Sequence, residues 1–307
     1  MRMEYDVYHD ESQENGYWHG ILLVPVSSKS LLLDVLSEIR SNTKYDAPVG
    51  IKGLNKPSGK PYQTARSFVS FGACALVQRL KGETCGYVTG KIIHDSIGKR
   101  EFEYKTIKKG IGIKFIVSRI IDHLKSLDSN DFQDHCKKME VTFRHALKGG
   151  IHLLGNQENP IVVRSLHFDG WEQYGRHVSL DNIVLGLNNL RPYCSLSKNI
   201  YLEDKTSDHR DNNSQSYEDC QLLQLTDLLI GSFRTILGEC KNNIQKNIAI
   251  PMEQLVSRWN QGHARMKNSK WYKGFCISEC FRENREWRFQ QIEVTKNTSE
   301  QYTLPIK

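Results

Sequence analysis

Two aspartates in this chain follow runs of residues that are typical of β-strands. Asp10 closes an alternating run that begins at Glu4, and Asp169 closes a later run, Ile161 to Asp169. Ligands bind at the carboxyl ends of strands in open α/β sheets, because loops converge there over a crevice. Aspartate at a strand end is also ordinary turn chemistry, so each position taken singly leaves both interpretations open.

Asp227 lies inside the most apolar helical pattern of the chain, Cys220 to Leu237. A buried carboxyl group must be protonated, hydrogen-bonded, paired with a base or bound to a metal, and no Lys or Arg occurs between Cys220 and Phe233. Carboxylate oxygens suit Mg²⁺ or Mn²⁺. Two such ions, about 3.5 to 4 Å apart, hydrolyse a phosphodiester without a covalent nucleophile. Together the three acids predict a site that hydrolyses nucleic acid.

Two segments carry a resemblance to a known family. YDVYHDES at Tyr5 to Ser12, followed by the strand WHGILLVPV, and QLLQLTDLLIGSFR at Gln221 to Arg234 resemble the opening and closing motifs of a bacterial family called domain of unknown function 3800. The family is usually written as a strand ending Asp-Glu-Ser-Gly and a helix carrying Leu-Gln-Leu-Ala-Asp. It is regarded as a branch of the RNase H-like, or retroviral integrase, superfamily and is often found in mobile elements and defence loci.

The resemblance implies a role for each matching residue. Asp10 becomes the metal ligand of the first strand, Asp227 the ligand of the closing helix, and Gln224 a motif residue beside it. Asp169 looks like the acid after the fourth core strand. Glu11 belongs to the first motif and is a further catalytic candidate, but strand alternation points it to the face opposite Asp10 unless the chain has already turned.

The sequence departs from the family pattern at two positions. Gln13 stands where the family usually has glycine, and Gly50, two residues before Lys52, stands where the family has a glutamate. The second departure removes a fourth acid from the expected site. Other acids could supply it, or the protein is a catalytically weakened member. The candidates for the fourth acid are Glu203, Asp204, Asp208, Glu218 and Asp219.

The order of strand and helix patterns predicts an α/β fold with an RNase H-like mixed central sheet flanked by helices, whose first two strands form a hairpin. We expect a single domain over residues 1–307. Its core spans about 1–240, with a helical insertion over about 100–158 and a basic elaboration over about 241–307. Within the insertion, the spacing predicts a helix from about Gly112 and a second helix that Gly149 and Gly150 weaken near its end.

Positive charge is concentrated in a few segments of the chain, whose net charge is +7. Leu255 to Phe275 is rich in Lys and Arg, has no acid and interleaves aromatic residues, which suits binding of a nucleic-acid strand, DNA or RNA. A solvated helix whose tryptophans anchor it to the core is the alternative. The candidate nucleic-acid contacts are Lys52, Lys108, Lys109, Arg265, Lys267 and Lys270.

Several classes of protein do not fit the sequence. No apolar run approaches the ~20 residues of a membrane span, and the charged N-terminal residues lack the apolar region of a signal peptide, so we expect a cytoplasmic protein without membrane contact. Neither a GxSxG nucleophile motif nor a phosphate-binding loop occurs. His167 shares the strand face of Asp169 and is either a proton shuttle or a structural histidine.

Three functional hypotheses follow. The first is a nuclease that uses Mg²⁺ or Mn²⁺, in a bacterial defence or mobile-element system. The second is a catalytically weak RNase H-like subunit that binds nucleic acid or a protein partner encoded in the same locus. The third is a phosphate-ester enzyme that acts on nucleotides but not on polymers. The residue pattern does not discriminate DNA from RNA, because 2′-hydroxyl contacts leave no readable motif.

Overall fold

A computed structural model describes most of the chain: residues 3–13, 17–77, 85–107, 111–121, 135–155, 157–169, 178–205, 214–240, 242–260, 274–283, 286–292, 295–296 and 302–303. The strands are β1 (Glu4–Ser12), β2 (Tyr17–Pro25), β3 (Cys85–His94), β4 (Arg100–Ile107), β5 (Lys114–Ile121), β6 (Ile161–Asp169), β7 (Cys194–Lys205), β8 (Phe275–Glu283), β9 (Glu286–Gln291), β10 (Thr295–Lys296) and β11 (Tyr302–Thr303). The helices are α1 (Lys29–Thr43), α2 (Lys60–Leu76), α3 (His135–Leu154), α4 (Leu180–Asn188), α5 (Ser214–Ile236) and α6 (Asn243–Asn260).

A mixed central sheet organises the described residues, with strand order β7-β6-β1-β2-β5-β8-β9. The pairs β1–β2, β2–β5 and β8–β9 are antiparallel, whereas β1–β6, β6–β7 and β5–β8 are parallel. Apolar side chains of α1, α2, α5 and α6 cover one face, and those of α3 and α4 cover the other. The prediction of an α/β protein with a mixed sheet flanked by helices is confirmed.

The first two strands form the expected antiparallel hairpin at the centre of the sheet. In β2, Ile21 and Leu23 pack toward α3 and α4, whereas Leu22 and Val24 pack toward α1, α2 and α5. A strand buried on both faces is apolar at consecutive positions, which explains the continuous run of this segment.

The helix predicted from about Gly112 is wrong. Residues 114–121 form β5, which pairs with β2 and β8 inside the sheet. Phe115, Ile116 and Val117 are all fully buried, and a short apolar run of this kind has no periodicity that separates a buried strand from a buried helix. Residues 100–107 form β4, which pairs with β3 in a separate hairpin. Of the segment about 100–158, the helical part that the structure describes is α3.

The glycines of α3 do not weaken its end, because the helix continues to Leu154. A Cβ atom at Gly150 would lie 2.4 Å from Ile116 Cδ1, and one at Gly149 would lie 2.3 Å from Phe289 Cδ1. Real Cβ atoms do not approach other atoms so closely. The two glycines therefore let the helix lie directly on the sheet.

The predicted burial of the closing helix is confirmed by α5, whose apolar residues lie in the core between the sheet and α2 and α6. The expected helix near Ser179 is α4, and the Ser179 hydroxyl caps it by accepting a hydrogen bond from the Asn182 N–H. Beyond residue 240, α6 packs on the core and β8 joins the sheet beside β5. Within the described residues, every helix is too short or too polar to cross a bilayer.

Candidate functional site

The carboxyl ends of β1 and β6 lie side by side in the sheet. The two strands are parallel neighbours, and their register pairs Tyr8 with His167. Asp10 and Asp169 lie two residues further along their strands. Because strand side chains alternate between faces, both acids point to the same face as Tyr8, which is the face that α5 covers.

The carboxyl groups of Asp10, Asp169 and Asp227 are close enough to influence one another's ionisation. Burial raises the pKa of Asp10 well above its usual range, and the charges of Asp227 and Asp169 raise it further. Burial and the charge of Asp169 also raise the pKa of Asp227. A side-chain interaction with Asp10 lowers the pKa of Asp227 by less than burial raises it. All three residues are half-buried and accessible to solvent.

Asp227 is held by the segment that connects α1 and α2. The backbone N–H of Ile51 donates a hydrogen bond to Asp227 Oδ2 at 2.8 Å. This bond and the nearby charge of Lys52 lower the pKa of Asp227, against the larger effect of burial. Lys52 is itself exposed at the rim of the site. The carboxyl group therefore has a fixed position although no basic residue lies near it in its own helix.

Gly50 makes this contact possible. A Cβ atom at Gly50 would lie 2.8 Å from Asp227 Oδ2, which is closer than Cβ atoms approach other atoms. Residue 50 therefore lies beside Asp227, and as a glycine it provides no carboxylate there.

The buried Arg40 fixes the same connecting segment. Its guanidinium group donates to Gln224 Oε1 at 2.6 Å and to the carbonyl oxygens of Tyr45 and Ala47 at 3.1 and 3.0 Å. Gln224 Oε1 also accepts a hydrogen bond from the Val49 N–H at 3.0 Å. Gln224 is therefore a positioning residue that ties α5 to the segment above Asp227. Nothing in the sequence pattern had indicated a role for Arg40.

Glu11 does not join the three aspartates. Its carboxylate accepts hydrogen bonds from the Tyr17 hydroxyl and the Gln13 side-chain amide, each at 2.9 Å. Strand alternation had favoured the face opposite Asp10, and the contact with Tyr17 agrees with that geometry. The backbone and the charge of Glu11 still act on the pKa of Asp10, so its catalytic role stays a prediction.

The nucleic-acid contacts predicted from charge are mostly not described. Lys108, Lys109, Arg265, Lys267 and Lys270 lie outside the described residues. Lys52 is described, and it lies next to the aspartates. Of the candidate nucleic-acid contacts, Lys52 is therefore the one that the structure describes.

The candidates for a fourth acid lie in different parts of the structure. Glu203 and Asp219 lie with His167, where ligand atoms of the three side chains are all within 4.8 Å of one another. Glu218 is exposed in α5, Asp204 lies in β7 beside Phe168, and Asp208 lies outside the described residues.

Glu203 and Asp219 belong to a second polar cluster on the same face of the sheet. This cluster includes Tyr8 and His167, which precede Asp10 and Asp169 by two residues along their strands. We call it the His167 cluster. Asp219 Oδ1 accepts hydrogen bonds from the Tyr8 hydroxyl at 2.7 Å and from Lys29 Nζ at 2.8 Å. The cluster also contains Asp6, Arg164, Ser165 and His167, and His167 Nδ1 faces Glu203.

A sequence signal for this cluster was present but easily missed. Polar or ring-bearing residues recur at alternate positions of both strands, as Asp6, Tyr8 and Asp10 in β1 and as Ser165, His167 and Asp169 in β6. In buried strands such alternation marks one polar stripe across neighbouring strands. Lys29 and Arg164 carried no comparable signal.

Comparison with protein-family models, with curated proteins and with solved structures found no match. The chemistry of the two clusters therefore rests on their own side chains. Asp10, Asp169 and Asp227 offer only oxygen ligands, the donor set that Mg²⁺ and Mn²⁺ prefer. Burial raises the pKa values of Asp10 and Asp227, and repulsion from neighbouring carboxylates raises them further. A divalent cation would relieve that repulsion.

Proposed function

We propose that the protein is a metal-dependent nuclease that hydrolyses phosphodiester bonds of DNA or RNA. The observation that carries the proposal is that the charges of Asp169 and Asp227 raise the pKa of Asp10, although the three acids come from two strands and a helix far apart in the sequence. Mg²⁺ or Mn²⁺ ions held there would activate water and stabilise the leaving oxygen of the cleaved bond.

The residues of the site have separable roles in this reaction. The three aspartates hold the cations, and Ile51 orients Asp227 through its N–H group. Lys52 is exposed beside Asp227 and is suited to contact a backbone phosphate of the substrate. Arg40 and Gln224 hold the segment that carries these contacts.

The topology supports an RNase H-like assignment within the proposal. Residues 85–107 form a separate hairpin, so β6 is the fourth strand of the central sheet in chain order. Asp169 ends that strand, which is where the resemblance required an acid. We extend the proposal to a cytoplasmic protein of a bacterial defence or mobile-element system, acting with a protein partner from the same locus.

The proposal is tested by titrating Mn²⁺ into the wild type and Asp227→Asn and by assaying cleavage in the same buffer. The substrates are single-stranded DNA, duplex DNA, RNA and an RNA–DNA hybrid. We expect wild type to bind Mn²⁺ and to cleave at least one polymer. We expect Asp227→Asn to lose cleavage and the Mn²⁺ that binds at the three aspartates, because one oxygen ligand and its charge are removed.

The control variant is Asp181→Asn, which removes an exposed carboxylate in the first turn of α4. It should bind Mn²⁺ and cleave like wild type. Equal metal binding by wild type and Asp227→Asn would refute the site. Activity on nucleotides without activity on polymers would instead identify a phosphate-ester enzyme.

A second function is favoured by one observation, which is the absence of an acid at Gly50 beside Asp227. With fewer ligands, the protein would bind nucleic acid or a partner without turnover. Binding of labelled DNA and RNA that persists in EDTA, together with no cleavage by the metal-loaded wild type, would establish this alternative.

A further inference from the structure

The imidazole ring of His167 is fixed in one orientation. It is 2% exposed and stacks on the Tyr8 ring, with ring centroids 4.5 Å apart and planes 8° from parallel. Its Nε2 atom lies 2.9 Å from Ser165 Oγ. Stacking and hydrogen bonding together define which way each ring nitrogen points.

The neighbouring hydrogen bonds determine the tautomer. Ser165 has a single hydroxyl hydrogen, and it donates this hydrogen to Asp6 Oδ1 at 2.6 Å. Asp6 pairs with the Arg164 guanidinium group through both carboxylate oxygens, at 2.7 and 2.5 Å, and therefore acts as an acceptor. Ser165 Oγ must then accept from His167, so Nε2 carries the hydrogen. In the neutral ring the other nitrogen, Nδ1, then presents a lone pair.

This lone pair faces a carboxylate. His167 Nδ1 lies 3.3 Å from Glu203 Oε2, yet within the described part of the chain Nδ1 has no hydrogen-bond partner. A carboxyl oxygen of Asp219 lies within 4.8 Å of the other two ligand atoms. Two lone pairs directed at each other repel unless a positive charge lies between them.

We infer that a divalent first-row transition-metal ion binds between His167 Nδ1, Glu203 and Asp219. One imidazole with two carboxylates favours Mn²⁺, Fe²⁺, Co²⁺ or Zn²⁺ over Mg²⁺ and Ca²⁺, which prefer all-oxygen sites. The chain from His167 through Ser165 to Asp6 is the outer-shell arrangement that orients a histidine ligand on a metal.

The surroundings suit such an ion. Lys29 and the Tyr8 hydroxyl both donate hydrogen bonds to Asp219 Oδ1, so they fix the position of this carboxylate. The side chains of Glu203 and Lys29 are 31% and 19% exposed, which provides an entry path from solvent.

The site is distinct from the three aspartates. His167 precedes Asp169 by two strand residues, a separation of about 7 Å along the chain. Paired catalytic ions lie only about 3.5 to 4 Å apart. The inference therefore goes beyond the proposed nuclease and does not require it.

The test uses the variant Asp10→Asn/Asp169→Asn/Asp227→Asn, so that only the His167 cluster can bind strongly. Apo protein is titrated with Co²⁺, whose visible absorption reports nitrogen and oxygen ligation, and Zn²⁺ is then used to displace it. We expect one equivalent of Co²⁺ to bind and Zn²⁺ to abolish the spectrum. Adding His167→Gln or Glu203→Gln should each weaken binding by at least about 10-fold.

His152→Gln is the matched control, because His152 is exposed on α3 and lies outside the cluster. It should leave Co²⁺ binding unchanged. Ser165→Ala removes only the orienting hydrogen bond and should weaken binding about 10-fold without removing a ligand. Glu203→Gln alters a partly exposed side chain and keeps the test valid if His167→Gln does not fold. Absence of Co²⁺ binding in the triple variant, or unchanged binding in folded Glu203→Gln, overturns the inference.

Discussion

Asp227 is a ligand candidate whose position depends on residues outside its own helix. The Ile51 N–H binds its carboxyl group, Gly50 leaves room for that approach, and Gln224 with Arg40 ties the segment to α5. A half-buried carboxyl group held by a backbone N–H is sensitive to shifts of a few tenths of an ångström. Substitutions in the backbone segment that contacts Asp227, at Gly50 and Ile51, should therefore affect the site most directly.

Gly50→Ala should weaken Mn²⁺ binding at the three aspartates. The new Cβ would lie 2.8 Å from Asp227 Oδ2 and must displace the carboxyl group from Ile51 and Asp10. We expect the affinity for Mn²⁺ to fall about 10-fold, a size typical of losing the support of a ligand. Calorimetric titration of Mn²⁺ measures the change.

Gly53→Ala is the control, because the nearest atom to a Cβ there is the Gly50 carbonyl oxygen at 4.0 Å. It should leave Mn²⁺ binding unchanged. If Gly50→Ala binds Mn²⁺ as tightly as wild type, the position of Asp227 does not govern the site.

At the residue scale, the sequence revealed acids that are costly to bury and little about their partners. Asp227 stood out because an apolar helix rarely carries a carboxylate. Arg40 and Lys29 did not stand out, because each lies in an ordinary amphipathic helix and acquires its partners only through tertiary packing. Glu203 and Asp219 were recognised as acids near the site, but their grouping around His167 depends on strand register.

Elements in this fold approach one another closely where glycine replaces a side chain. In α3, Gly149 and Gly150 lie against Phe289 and Ile116 of the sheet. This contact explains how a helix can contain two adjacent glycines, which are poor helix formers, and still continue to Leu154. Tertiary packing thus outweighs helix propensity here.

Gly150→Ala should destabilise the protein although alanine is the better helix former. Its Cβ would lie 2.4 Å from Ile116 Cδ1, and the resulting overpacking should lower the free energy of unfolding by about 1 to 3 kcal/mol. Gly186→Ala in α4 has no atom within 4 Å of the new Cβ, and it should raise stability by about 0.5 to 1 kcal/mol. Urea unfolding at neutral pH compares the two, and a stabilised Gly150→Ala would contradict the close contact.

At the element scale, the sequence predicted those strands and helices whose residue pattern has a clear period. The hairpin, β6, α4 and α5 follow from alternation, capping and apolar helical spacing. The assignment of β5 failed because a strand in the middle of a sheet is apolar on both faces, and its pattern over eight residues resembles a buried helix. Only its pairing with β2 and β8 distinguishes the two.

The whole molecule assembles its candidate site from distant parts of the chain and buries several titratable groups while doing so. His19 is fully buried and bonded to His9 and Thr142, and burial lowers its pKa to about 3. Burial likewise lowers the pKa of His145, which stacks on Trp287, to about 4. Both histidines are neutral in the folded protein at neutral pH, so folding is linked to pH.

Acidification should destabilise the fold through His145, and His145→Phe should reduce that effect. The unfolded chain binds the proton near pH 6.5 and the folded protein only near pH 4, so stability falls as pH drops through this window. The slope from this group is at most about 1.4 kcal/mol per pH unit. Phenylalanine keeps the stacking on Trp287 and removes the titration. Urea unfolding between pH 7 and pH 4 measures the difference in slope.

His94→Phe is the control, because His94 is exposed at the end of β3. Asp10 and Asp227 act in the opposite sense, since their raised pKa values make the folded protein bind protons more tightly than the unfolded chain. Comparing each variant with wild type at every pH cancels that background. Parallel curves for wild type and His145→Phe would rule out a neutral buried His145.

The raised pKa values of Asp10 and Asp227 have a consequence for how the site takes up ions. Hydrogen ion and divalent cation compete for the same carboxyl oxygens, so Mn²⁺ binding releases a proton to the buffer at any pH where one of these groups is protonated. The heat of Mn²⁺ binding should therefore depend on the ionisation enthalpy of the buffer, and the apparent affinity should increase with pH. Before a cation binds, protonation of either carboxyl group reduces the repulsion between the two acids.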